Sequence, residues 1–161
     1  MNGRIVAGGI VLSGLVAGAA MYWLQVYAYY APVVFVPGQE IVLTPIGSDL
    51  PEAIIAEGVT GIDANSSPLR FRACFTTPLT LATLSETYRI YDRPEPLIAP
   101  GWFDCFDAER IGVALEKGEA LAFLSQAGIA PGVDRVVAVF PDGRAYAWHQ
   151  LTPVAAKDPL Q

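Results

Sequence analysis

Residues 5–24 read IVAGGIVLSGLVAGAAMYWL, twenty positions without one charged side chain. At about 1.5 Å rise per residue an α-helix of that length spans roughly 30 Å, the thickness of a bilayer's hydrocarbon core. Tyr22, Trp23, Tyr27, Tyr29 and Tyr30 crowd its C-terminal end, where amphipathic rings favour the headgroup level. The stretch therefore predicts a single transmembrane helix, placed over residues 5–30, and everything downstream is mounted on it. A cleaved signal peptide is the rival reading, with Val16-Ala17-Gly18-Ala19 as small residues for a peptidase. The apolar run is longer than a usual signal core and continues into bulky Met21, Tyr22 and Trp23, so a retained anchor is expected.

Charge sets the expected orientation. Arg4 precedes the helix, and the next Lys or Arg is Arg70. By the positive-inside rule residues 1–4 stay in the cytoplasm and the remainder is exported. Setting aside Arg4, the exported part has nine basic against sixteen acidic residues, a formal −7. Such a balance argues against a nucleic-acid partner and against a domain lying flat on anionic lipid. Its size suits one domain able to bury a core. The expected organisation is a linker over 31–38, a soluble domain over 39–153 and a frayed tail over 154–161.

Within the anchor, Gly14 and Gly18 form a G-x-x-x-G pair, and Gly9, Ser13 and Ala17 repeat small residues at four-residue spacing. Small residues let a second helix approach closely, and close packing drives association in lipid. This face is the candidate contact with other transmembrane subunits. No ionisable side chain lies in the span, so no proton or ion path is expected through it.

The exported domain predicts an α+β fold with a mostly antiparallel sheet and two helices. Short β-like runs cover 40–44 and 53–64, and a turn follows at Asn65-Ser66-Ser67-Pro68. In Leu69-Arg70-Phe71-Arg72-Ala73-Cys74-Phe75, alternation places Phe71, Ala73 and Phe75 on one face and Arg70, Arg72 and Cys74 on the other. Thr77 as N-cap with Pro78 at the first helical position predicts a helix from Leu79 to about Tyr91, with Leu81, Leu84 and Tyr88 as its apolar stripe. Residues 93–102 hold three prolines and a glycine, an ordered loop. Asp107 caps a second helix, with Glu109 in its first turn, Ile111, Ala114 and Leu115 inward, and Lys117-Gly118 at its end. A strand over 121–125 precedes a hairpin, 135–140 and 144–151, turning at Pro141-Asp142-Gly143.

Candidate chemistry is sparse. Cys74 and Cys105 form an even pair in an oxidising compartment, which predicts a structural disulfide; a redox couple would want C-x-x-C spacing. His149 is the single histidine, expected as a surface or hydrogen-bonded structural residue. Neither it nor the acids Asp104, Asp107 and Glu109 have metal-ligand spacing, and blue-copper chemistry lacks its second histidine. No nucleophile elbow and no phosphate-cradling glycine loop occurs. Neither a catalytic residue, a cofactor nor a metal is expected.

The segments SPLRFRACF (67–75) and APGWFDCFD (99–107), with the opening MNGRIVAGGIVLSGLVAGAAMYWLQVYAYY, resemble a family of uncharacterised single-pass membrane proteins from Rhodobacter-like alphaproteobacteria. The resemblance covers nearly the whole chain and implies an inner-membrane anchor with a periplasmic domain. Some members carry a histidine-kinase label, which the absence of ATP-binding glycine boxes here contradicts. It transfers no catalytic residues. Three functions stay open: an accessory or assembly subunit of a larger respiratory or photosynthetic membrane complex, a tethered periplasmic binding or sensing domain, and a redox enzyme using Cys74 and Cys105.

Overall fold

In the computed structural model, which describes residues 3–153, the chain is an α+β protein: an apolar N-terminal helix, two further α-helices and a mostly antiparallel sheet. Helix α1 (Gly3–Trp23) continues as a π-helical turn over Leu24–Ala28. Together they form one helix long and apolar enough to cross a membrane. No residue of α1 is buried against its own domain.

Strands β1 (Ala31–Pro32), β4 (Glu57–Asp63), β5 (Arg72–Thr76), β6 (Leu121–Ala130), β7 (Val133–Val139) and β8 (Arg144–Leu151) form the main sheet, in the order β1-β4-β5-β8-β7-β6. Strands β2 (Val42–Leu43) and β3 (Glu52–Ala53) make a small separate ribbon. Between β5 and β6 lie α2 (Leu81–Thr87) and α3 (Ala108–Glu116). Every pairing in the main sheet is antiparallel.

Alternation along the strands sends side chains to opposite faces, and here both faces are buried. Phe71, Ala73 and Phe75 join Val137, Val139, Ala145 and Ala147 in one core under Leu84 of α2. Cys74, Val136, Ala138, Tyr146 and Trp148 face the other core, under Ile111 and Ala114 of α3. The expected two-faced reading of 69–75 holds, but the face with the arginines is a second interior and Arg72 is only 3 % exposed.

The 31–38 segment is not a free linker. Ala31 and Pro32 pair with Asp63 and Ile62, the Val33 amide donates to the Gly61 carbonyl at 2.9 Å, and Phe35 packs into the first core. Gly61 makes this possible, since a Cβ there would lie 2.7 Å from the Phe35 ring. Proline fits an edge strand because it needs to donate nothing to a further neighbour.

The first helix of the domain is shorter than its sequence predicts. Thr80, not Thr77, is the N-cap, its Oγ1 accepting from the Thr83 amide at 3.2 Å. Thr77 is taken by the sheet: its amide donates to the Gly143 carbonyl and its hydroxyl to the Ile55 carbonyl. At the other end Tyr88 is extended, because 88–91 bonds to Thr44 on one side and to Ala122 and Leu124 on the other. Helix α3 follows its sequence reading, with Asp107 accepting from the Arg110 amide at 3.0 Å and Gly118 ending it at φ +70°. Strand β6 runs on to Ala130 through two irregularities in register, beyond the expected 121–125. The predicted tail over 154–161 lies outside the described residues.

Cys74 and Cys105 are disulfide-bonded with Cα atoms 6.4 Å apart, inside the range such a bridge allows. The bond ties β5 to the segment entering α3. Replacing both cysteines by serine is expected to lower unfolding stability by roughly 3–4 kcal/mol on the chain-entropy account. Denaturant unfolding of the two proteins in the same detergent measures it, and an unchanged midpoint would remove the bridge from the stability argument.

Candidate functional site

Among the described residues, three places are candidates for contact with a partner or a ligand. The first is the free surface of α1. A Cβ at Gly9, Gly14 or Gly18 would meet nothing within 4 Å, so these positions lie open. Ser13 has already spent its hydroxyl on the Ile10 carbonyl of its own helix, at 2.9 Å. The predicted face Gly9, Ser13, Gly14, Ala17 and Gly18 is therefore on one exposed helix, untouched by the domain.

The second is the junction of helix and domain. A helix leaves its last carbonyls without intrahelical partners, and the wider π turn, closed by the Tyr29 amide on the Leu24 carbonyl at 3.1 Å, exposes two of them. The domain supplies the donors. Arg70 Nη1 reaches the Gln25 carbonyl at 3.2 Å and Trp102 Nε1 the Val26 carbonyl at 2.7 Å. The Arg70 guanidinium also lies 5.4 Å from the Tyr30 ring centroid, and Tyr30 meets Trp102 edge to face at 5.9 Å. The long loop over 93–102 carries Trp102 and is itself pinned. Gln150 takes the Glu95 amide and donates to the Arg93 carbonyl, while Arg72 donates to the carbonyls of Leu97 and Ile98.

The third is a polar cluster at the end of the first core. Pro68 O can only accept, so His149 Nδ1 carries the hydrogen in their 2.7 Å contact, and Nε2 then accepts from Arg135 Nε at 2.9 Å. Phe71 packs against both members of this pair, with the His149 ring at 4.6 Å and the Arg135 guanidinium at 4.3 Å from its ring centroid. Burial, with Arg135 and Arg72 adding to it, pushes the His149 pKa down to about 4. Asp63 faces the same group, and burial raises it above the usual carboxylate range. A neutral imidazole with both nitrogens committed has no lone pair to lend to a substrate or a metal. His149 is a structural, hydrogen-bonded residue at 4 % exposure.

The remaining sequence candidates disperse. Asp107 is occupied as a cap, and Asp104 and Glu109 are exposed around it. Among the described residues no three His, Cys, Asp or Glu side chains converge to hold a metal ion. Cys105 is exposed and Cys74 is not, and both line a shallow groove beside β4 and β5. The junction donors Arg70 and Trp102 escaped the sequence reading, for they are thirty-two residues apart and meet only where the helix ends. The signal available was the aromatic cluster of the anchor's end and a second exposed-type tryptophan in a proline-rich loop.

Comparison with known proteins supplies a family and no activity. The model of a family of unknown function, DUF6446, matches residues 41–158. The chain belongs to that family. The match spans the whole sheet except β1 and excludes α1, so the DUF6446 region is the domain. No curated protein and no solved structure matches.

The histidine makes the DUF6446 domain sensitive to acid. Unfolded, it takes a proton below about pH 6.5; folded, it resists down to about 4. The unfolded state thus binds more protons between those values, and stability falls as pH drops through that window, by roughly 3 kcal/mol at most. Asp63, raised when folded, acts in the opposite sense near the lower end. Unfolding midpoints from pH 7.5 to 4 should show this slope in the wild type and a flatter one in His149→Gln. Equal slopes would assign the acid sensitivity elsewhere.

Proposed function

We propose that this protein is a non-catalytic accessory or assembly subunit of a larger inner-membrane complex, mounted by α1 with its domain on the periplasmic side. The observation that carries the reading is the mount itself. The last carbonyls of the helix are capped by Arg70 and Trp102 of the domain, so helix and domain present their surfaces in one fixed relation. A subunit that must meet neighbours both in lipid and above it needs that relation; a tethered sensor does not. The small-residue face of α1, open at Gly9, Gly14 and Gly18, supplies the surface on which another helix can seat. Arg4 before the span and no basic residue between it and Arg70 support a cytoplasmic N-terminus. The disulfide fits an oxidising compartment, and the resemblance to proteins of Rhodobacter-like alphaproteobacteria supports the inner membrane.

The second reading is a stand-alone binding domain. It draws on a groove of about 650 Å³ between α3 and the β7–β8 turn, lined among others by Asp107, Arg110, Asp142 and Arg144. That groove is wide open and mixed in charge, where small-molecule sites are enclosed and mostly apolar. A redox role has the least support, since the pair lacks C-x-x-C spacing and Cys74 is buried.

Two measurements test the proposal. A C-terminal alkaline phosphatase fusion should be active and a C-terminal cytoplasmic-type fluorescent fusion dark; the reverse pattern overturns the orientation. In mild detergent the tagged wild type should co-purify with other membrane proteins, and Gly14→Leu with Gly18→Leu should lose them while inserting and forming the Cys74–Cys105 bond normally. If the double variant keeps every partner, or the wild type brings none, the subunit reading falls to the binding-domain one.

A further inference from the structure

The junction fixes more than an orientation. If the charge-free run 5–24 fills the hydrocarbon core, its upper boundary lies near Leu24. Gln25 and Val26 then stand only one and two residues beyond it, about 1.5 and 3 Å along the axis. The interfacial layer on each side of a bilayer is roughly 5–7 Å deep, by the difference between core and total thickness. Helix carbonyls point toward the C-terminus, and the groups that bind these two sit 3.2 and 2.7 Å away. The guanidinium of Arg70 and the indole of Trp102 are thereby held inside that layer, together with the Tyr30 ring they both contact. Tilting the helix only brings them lower.

We infer that the membrane-proximal rim of the domain, formed by Tyr30, Arg70 and Trp102, is seated in the headgroup layer, with Arg70 paired to a phospholipid phosphate. The chemistry matches the place. Arg70 uses one nitrogen on Gln25 O and, among the described residues, has no carboxylate or other hydrogen-bond partner for the rest of its fork. A guanidinium in that state presents paired donors of the geometry that phosphate oxygens accept. Trp102 is 41 % exposed and has its one polar atom satisfied, an apolar body with a committed handle, as interfacial tryptophans are. Ile98 of the same loop is 84 % exposed, although its carbonyl is fixed by Arg72 at 3.1 Å; burial in the interface accounts for an apolar side chain left outside a pinned loop. The domain's formal −7 opposes general attraction to anionic lipid. The contact is therefore local and set by geometry, and it should form equally on zwitterionic phosphatidylcholine.

This inference rests on reading α1 as a membrane span, and the test separates the two. The full-length protein is reconstituted into phosphatidylcholine vesicles with brominated acyl chains. Trp148 is fully buried and silent to quenchers from either phase. In Trp23→Phe the remaining accessible emission is that of Trp102. It should be quenched more by bromines high on the acyl chain than by bromines near the bilayer centre, and little by aqueous iodide. The lipid quenching should vanish in Trp23→Phe with Trp102→Phe. Trp102 quenched by iodide and untouched by brominated lipid overturns the seating. In Trp102→Phe, Trp23 reports the span alone, and its failure to respond to brominated lipid would strike the membrane reading instead. For the phosphate, arginine is labelled with ¹³C at Cζ, and dephasing by lipid ³¹P is recorded for wild type and Arg70→Lys, which keeps a charge but removes that carbon. The difference signal belongs to Arg70 and should be strongly dephased; a difference signal without dephasing refutes the pairing.

Discussion

A buried guanidinium holds this molecule's irregular parts in place. Arg72 lies in β5 with 3 % of its surface exposed and, among the described residues, no carboxylate bonded to it. Removing such a charge from water costs several kcal/mol unless its donors are met. They are met by backbone: Nε on Leu97 O at 2.7 Å, Nη1 on Leu69 O and Phe71 O at 2.8 and 2.6 Å, and Nη2 on Ile98 O at 3.1 Å. The Phe106 ring lies 5.7 Å from its carbon. Burial lowers its pKa to about 10, so it stays charged at any pH the protein meets. The four carbonyls need the arginine as much as it needs them. A loop of three prolines could not otherwise be drawn against the sheet, since it has few amides with which to pair.

From Arg72 the consequences run outward along the loop. Leu97 and Ile98 are fixed, Gln150 fixes the loop's start through Arg93 and Glu95, and the Cys74–Cys105 bond fixes its end. Trp102 is thus presented at a set position, and only for that reason can its indole cap the helix. The segment that enters β5 buries Arg72 on one face and packs Phe71 against His149 and Arg135 on the other. One short segment organises both the core's polar end and the mount.

What the sequence disclosed, and what it withheld, follows from the range of each interaction. The anchor, the Asp107 cap, the closing hairpin and the alternation in 71–75 are local patterns, each legible within a few residues. Gly143 belongs with them: its φ of +85° and the Thr77 carbonyl 2.6 Å from where its Cβ would be allow only glycine in that turn. The cap at Thr80 was not legible, because Thr77 before proline reads as the N-cap until the sheet claims its hydroxyl. Residues 88–91 continue a helical pattern in sequence, but bonds to Thr44 and to β6 outweigh a propensity difference of a few tenths of a kcal/mol per residue. The edge strand at Ala31–Pro32 was hidden for the same reason, since prolines around an apolar run look like a linker until Gly61 leaves room for Phe35. Of the candidate sites, the disulfide could be named from residue type and spacing. The capping pair could not, as neither Arg70 nor Trp102 carries a local sign of the carbonyl it serves.

The mount also bears on how the anchor and domain can work together. A flexible tether would decouple them: displacement of α1 in the membrane would be lost in the linker before it reached the sheet. Here the path is short and made of rigid pieces. The π turn passes directly into β1, β1 pairs with β4, and Phe35 enters the core through the gap at Gly61. In parallel the two capping donors join the same turn to β5 and to the pinned loop. Two separate connections at one helix end resist rotation as well as separation, which a single hydrogen bond or a single strand would not. A neighbour that seats against the small-residue rows of α1 therefore determines where the β-sheet stands above it. Conversely, a partner bound to the domain restricts the angle at which α1 presents Gly14 and Gly18. On the subunit reading proposed above, the binding energy of each surface is conditional on the orientation the other selects, which lets one helix and one domain be recognised together.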